Sequence, residues 1–224
     1  TYAWLVNLLY HLINTIIFYF KEYRSTRLEA EELKRFQVQA ELQLVKNQIN
    51  PHFLFNNLNV LSTLVMQNNN EANRFIEEFS KVYRYILNNH EKELVDLKTE
   101  LHYINPYIFL LEKRFGEGLK VNINIPEHYK DCLVIPAALQ MLIENAIKHN
   151  IVSRSKPLHI DLHINGNHTI VVSNNLQVKP SVENSTEIGL RNIIKRYSLV
   201  SNREVIIDSE ENEFRVTLPL INAN

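Results

Sequence analysis

The sequence predicts an α+β chain, a helical hairpin followed by a two-layer α/β domain. Three observations predict it. Apolar residues recur at helical spacing through Leu42, Val45, Ile49, Phe53, Val60 and Leu64, and again through Ala72, Phe75, Phe79, Val82 and Ile86 after the polar turn Asn68-Asn69-Asn70. From about Leu119 the period drops to two, in Val121, Ile123 and Ile125 and again in Leu158, Ile160, Leu162 and Ile164. Asn165-Gly166 then separates two apolar runs, a pairing that favours a tight hairpin turn into Ile170-Val171-Val172.

The chain of 224 residues, 45% hydrophobic and 22% charged, suffices for one or two compact units. A formal net charge of -1 provides no basic field and argues against direct nucleic-acid binding. One cysteine, Cys132, excludes an intramolecular disulfide framework.

Taken in order, residues 2–20 carry no Asp, Glu, Lys or Arg. As a helix they would span about 28 Å, close to a bilayer core. Trp4 and Tyr19 near the two ends, and Lys21, Arg24 and Arg27 beyond them, predict a transmembrane helix with a cytoplasmic exit. The sequence opens at Thr1 without Met and reads as the C-terminal part of a longer protein. Residues 21–45, charge-rich with a narrow apolar stripe, are expected to form a coiled-coil signalling helix. Residues 46–95 form the hairpin, and two hairpins would build a four-helix bundle in a homodimer.

Residues 96–224 form the remaining unit. Asp96 is placed to cap a helix, with Glu100 in its first turn, Pro106 bending it and Gly116 or Gly118 ending it. After the first strand, Pro136 is expected to open another helix. A last helix over about 189–200 precedes two strands near Val205-Ile206-Ile207 and Phe214–Leu218.

Two stretches carry chemistry. In the first, Gln48, His52, Asn56 and Asn59 share one face of a greasy helix, and Pro51 stands just before the histidine. His52 taken alone is either a satisfied core histidine or a nucleophile, since neutral imidazole can attack phosphorus near neutral pH. In the second, Glu144, Asn145, Lys148 and His149 occupy the polar arc of a helix whose other side is Leu139, Ile143, Ala146 and Ile147. An amide oxygen suits Mg²⁺ held by phosphates, and the two basic groups suit phosphate oxygens. Glu144 and Lys148 at i,i+4 also read as an ordinary surface ion pair.

The run Gln48-Ile49-Asn50-Pro51-His52-Phe53-Leu54-Phe55-Asn56 resembles the phospho-acceptor motif of the LytS/YehU-type sensor histidine kinases. Ile135-Pro136, Leu139-Gln140 and Glu144-Asn145-Ala146-Ile147-Lys148-His149 resemble the first nucleotide box of the Bergerat ATP-binding fold. Two further boxes depart from the pattern. Asn174-Asn175-Leu176 stands where relatives carry Asp-Asn-Gly, and Glu187-Ile188-Gly189-Leu190-Arg191-Asn192 keeps one glycine of Gly-Ile-Gly-Leu-x-Asn.

The resemblance spans about residues 28–220. It implies ATP-dependent autophosphorylation of His52 and transfer to an Asp of a response regulator. ATP and Mg²⁺ would be held by Asn145, Lys148, His149, Asn174, Asn175, Gly189, Arg191 and Asn192, with Asn145 as metal ligand. His52, Asn56 and Glu144 would be the catalytic residues; Asn56 orients the ring, while Phe53 stands where many histidine kinases carry a carboxylate base. The implied location is a bacterial inner membrane with the catalytic part in the cytoplasm. The alternative is a dimeric scaffold or phosphatase whose altered boxes no longer respond to nucleotide.

Overall fold

The computed structural model describes residues 51–89, 92–179 and 187–222, together with scattered positions between Tyr2 and Lys34. Those scattered positions are helical and exposed. Most of the expected membrane and coiled-coil helices, with Gln48, lie outside the described residues. Among the described residues no helix is long and apolar enough to cross a membrane. Compact unit His52–Asn224 carries the rest of the fold.

Two helices open this unit, α1 (Pro51–Gln67) and α2 (Asn69–Asn89). The expected three-residue turn shrinks to Asn68 alone. Its side-chain oxygen accepts from the N–H groups of Asn70 and Glu71, at 3.1 and 3.3 Å, so the next helix restarts at once. The pair folds back on itself, because the Phe53 ring meets Phe79 at 6.3 Å and Tyr83 at 6.5 Å. Ala72, Phe75 and Val82 are buried as the spacing predicts.

Strand β1 (Val95–Asp96) leads into α3 (Leu97–Phe115). Asp96 caps it, accepting from the Thr99 N–H and hydroxyl. The helix continues through Pro106 and stops at Gly116, whose φ of 54° leaves its N–H bonded to the Glu112 carbonyl. Short strand β3 (Leu133–Val134) pairs antiparallel with β1.

The main sheet contains β2 (Leu119–Asn124), β4 (Leu158–Asn165), β5 (Thr169–Asn175), β6 (Ile206–Ser209) and β7 (Glu213–Pro219) in the order β2-β4-β5-β7-β6. Only β2 and β4 run parallel. Helices α4 (Ala138–His149) and α5 (Glu187–Val200) complete the domain. Leu158, Ile160 and Leu162 are buried while His159 between them is exposed, the alternation of a sheet covered on one face. The Asn165-Gly166 turn is longer than the dipeptide predicts. Register pairs Asn165 with Thr169 across three residues, and His168 rather than glycine takes the positive φ of 51°. Its carbonyl is held by the Leu220 N–H at 2.9 Å and by Arg203.

Phe75, 1% exposed and stacked on Phe79, is a hairpin core residue, whereas Leu199 is 78% exposed. Phe75→Ala should cost about 3–5 kcal/mol by urea denaturation, and Leu199→Ala less than about 0.5 kcal/mol. Equal losses would contradict this assignment of the core.

Candidate functional site

The first candidate group is set by burial. Phe53 is 7% exposed, with its ring also 5.5 Å from that of Tyr107 on α3. Neighbouring side chains on a helix point about 100° apart, so seating Phe53 turns His52 outward. His52 is exposed. The Asn57 amide, which the polar stripe did not include, is buried and donates to the Phe53 carbonyl at 2.8 Å. Asn56 is half-buried, and among the described residues its side-chain nitrogen has no hydrogen-bond partner. Asn59 is exposed.

The second group sits on α4. Pro136 does not open this helix. Ala137 follows it at φ 61°, and the helix starts at Ala138 with no cap from its own sequence. The missing cap comes from α3. The Glu100 carboxylate accepts from the N–H groups of Ala137 at 3.1 Å and Leu139 at 3.2 Å. It also accepts from the Tyr85 hydroxyl on α2. Glu100 is therefore not an exposed first-turn acid completing a helix dipole; it is fully buried. Burial pushes its carboxyl up to about 7, against the pull of Tyr85, the two backbone donors and Arg196. Arg196 on α5 donates to the Pro136 carbonyl at 3.2 Å.

Glu144 also faces α3. It accepts from the Tyr107 hydroxyl at 3.1 Å and the Gln140 amide at 2.7 Å. Asn145 beside it is half-buried, Lys148 is exposed and His149 is half-buried. The His149 Nε2 atom is buried without a hydrogen-bond partner among the described residues. Burial, then Lys148 and Lys179, lower the basicity of His149. Lys179 caps the end of α4, donating to the Ile147 and Lys148 carbonyls at 2.9 and 3.1 Å. Its own basicity is lowered by burial and by Arg114. Like charges gathered around an unsatisfied ring nitrogen form an environment that an anion would stabilise.

At the end of β5, Asn174 is buried and donates to the Asn175 carbonyl at 2.8 Å. Both ends of the Asn175 amide serve the backbone, accepting from the His159 N–H at 2.8 Å and donating to the Pro157 carbonyl at 3.2 Å. Gly189, Arg191 and Asn192 are exposed on the first turns of α5. Among the described residues a Cβ at Gly189 would meet nothing within 4 Å, so packing against them does not require glycine there. Periodicity had no means of finding Glu100, Tyr107 or Lys179, because each acts on a helix distant in sequence.

Residues 40–119 match the family model described as histidine kinase. The chain is 34% identical over 136 residues to the sensor histidine kinase/phosphatase LytS of Staphylococcus aureus strain Mu50, covering 61% of this chain and 23% of that protein. It thus spans about a quarter of the length of that curated relative. Among solved structures, the catalytic domain of histidine kinase ThkA is 15% identical, covering 58% of this chain and 97% of that one, with a TM-score of 0.39. The blue-light activated histidine kinase of Erythrobacter litoralis is 16% identical, covering 70% and 57%, with a TM-score of 0.36.

The carboxyl of Glu100 is raised in the fold from 4.5 to about 7, so the folded state keeps a proton that the unfolded chain releases. Its protonation-linked stabilisation is complete below pH 4.5 and is lost as pH rises through about 7. Urea denaturation from pH 4.5 to 8 should therefore show a falling component for the wild type that Glu100→Gln removes. Identical pH slopes would contradict it.

Proposed function

We propose that this chain, whose residues 40–119 match the histidine kinase family, is the phosphotransfer and ATP-binding portion of a sensor histidine kinase. The observation that carries the reading is the outward His52 on a seated Phe53, within the segment that matches the family. The relative named sensor histidine kinase/phosphatase supports the same class.

On this reading Mg²⁺ neutralises phosphate charge and draws electron density from the transferred group. Asn145 would hold the metal through its amide oxygen, and Lys148 and His149 would serve the phosphates. The His149 nitrogen, without a hydrogen-bond partner among the described residues, and the nearby cations fit such a ligand. Asn174 would read the base, Asn175 would hold the strand end that carries it, and Gly189, Arg191 and Asn192 would serve the phosphates. An imidazole nitrogen of His52 gives its lone pair to the γ-phosphorus, the bond to the bridging oxygen breaks, and ADP leaves. Asn56 orients the ring. Glu144 accepts from Tyr107 and Gln140 through one carboxylate oxygen, contacts that orient the Asn145 helix, and its other oxygen would serve the catalytic role.

The phosphoryl group then passes to an Asp of a response regulator. Phe55, Leu58 and Val65 on α1 and Ile76 and Leu87 on α2 are exposed apolar residues, a surface suited to a second hairpin in a homodimer. Residues 2–20 would anchor the chain at a bacterial inner membrane, with the catalytic part in the cytoplasm.

Incubation with γ-labelled ATP and Mg²⁺ should label the wild type with an acid-labile phosphate, and His52→Gln should remain unlabelled. Asn145→Ala should lower labelling about 100-fold or more, since it removes the metal ligand. Equal labelling of wild type and His52→Gln would overturn the reading.

A further inference from the structure

Helix α3 touches α4 through three polar contacts in succession. Glu100 takes the Ala137 and Leu139 N–H groups, the Tyr103 hydroxyl donates to Gln140, and the Tyr107 hydroxyl donates to Glu144. Residues 100, 103 and 107 are three and four apart, so they line one face of α3 and climb α4 in step. Each also touches the hairpin. Glu100 accepts from Tyr85, Tyr103 stacks on Tyr85 with centroids 3.9 Å apart and planes at 11°, and Tyr107 stacks on Phe53 at 5.5 Å. Phe53 directly follows His52, and Glu144 directly precedes Asn145.

We infer that this ladder passes displacements of the hairpin to the Asn145 helix, with Tyr85, Glu100, Tyr103 and Tyr107 as positioning residues for the transfer to His52. The inference rests on the proposed kinase reading for its consequence, but not for its geometry. Four reasons support it. The rungs are buried: Glu100 and Tyr107 are 0% and 1% exposed, and Tyr103 is 2% exposed. Buried polar groups that lose a partner pay a desolvation penalty, so the rungs hold one register rather than sliding. The first turn of α4 has no cap of its own, so its position is set by Glu100. Finally, Ala137 adopts a left-handed conformation at the helix start, a conformation that persists only where surrounding contacts impose it.

Tyr85→Phe is the discriminating change. It removes the hydroxyl that ties the hairpin to Glu100 and keeps the ring that stacks on Tyr103. Hydrogen exchange read by NMR should rise about fivefold or more at the amides of Ala137 and Leu139, while β4 and β5 keep wild-type protection. Affinity for a fluorescent ATP analogue should stay within about twofold, and the rate of phosphoryl transfer to His52 should fall about fivefold or more. Tyr107→Phe, which removes one of the donors to Glu144 but keeps the ring on Phe53, should show the same split between affinity and transfer rate.

Unchanged exchange at Ala137 and Leu139 overturns the inference, whatever the activity. A rise spread equally over β4 and β5 also overturns it, since that marks general loss of stability. So does local loosening that leaves the transfer rate unchanged, or that weakens nucleotide binding by the same factor as transfer. A wild type that forms no phosphohistidine defeats the kinase reading by itself; the exchange pattern then still decides whether the ladder couples hairpin to α4.

Discussion

The buried carboxylate of Glu100 is the constraint on which the rest of the arrangement depends. It sits on α3, receives a hydroxyl from α2 and caps α4. A hydrogen bond to a charged group contributes about 1.5–3 kcal/mol net, and leaving such a group buried without partners costs more. The fold therefore tolerates this acid only while all three helices keep their places. Burial holds its proton affinity near neutrality, so the clasp works at the edge of its own titration.

From that point the two chemical groups follow. Tyr107, two helical turns along α3, supports both the Phe53 ring and the Glu144 carboxylate. The first contact turns His52 outward; the second orients the turn that carries Asn145. At the far end of α4, Lys179 satisfies the last carbonyls and brings positive charge beside His149. A single helix thus has a borrowed cap at its start and a cationic end, with the proposed metal ligand between them.

Much of this was legible in the sequence because it depends on local spacing. The period of Ala72, Phe75 and Val82, the cap of Asp96, the stop at Gly116 and the alternation of β4 are all written within a few residues. What escaped depends on distant partners. Glu100 looks like any first-turn acid until Leu139 and Tyr85 arrive beside it. Glu144 and Lys148 have the spacing of an ion pair, and that spacing gives no sign that Tyr107 and Gln140 also reach the carboxylate. The Asn165-Gly166 dipeptide signals a turn correctly but not its length, because Leu220 and Arg203 hold His168 in place instead. Asn175 resembles a nucleotide residue by position, yet its amide ties the end of β5 to His159 of β4 and to Pro157 just before that strand.

A double-mutant cycle between Tyr85 and Glu100 tests the central claim most directly. Tyr85→Phe, Glu100→Gln and the double variant would be unfolded in urea at pH 8, where the carboxylate is ionised. The account predicts that the effects of the two single changes fail to sum to that of the double change, with a coupling of about 1–3 kcal/mol. Strict additivity would mean that the hydroxyl and the carboxylate act independently, and the three-helix clasp would be contradicted.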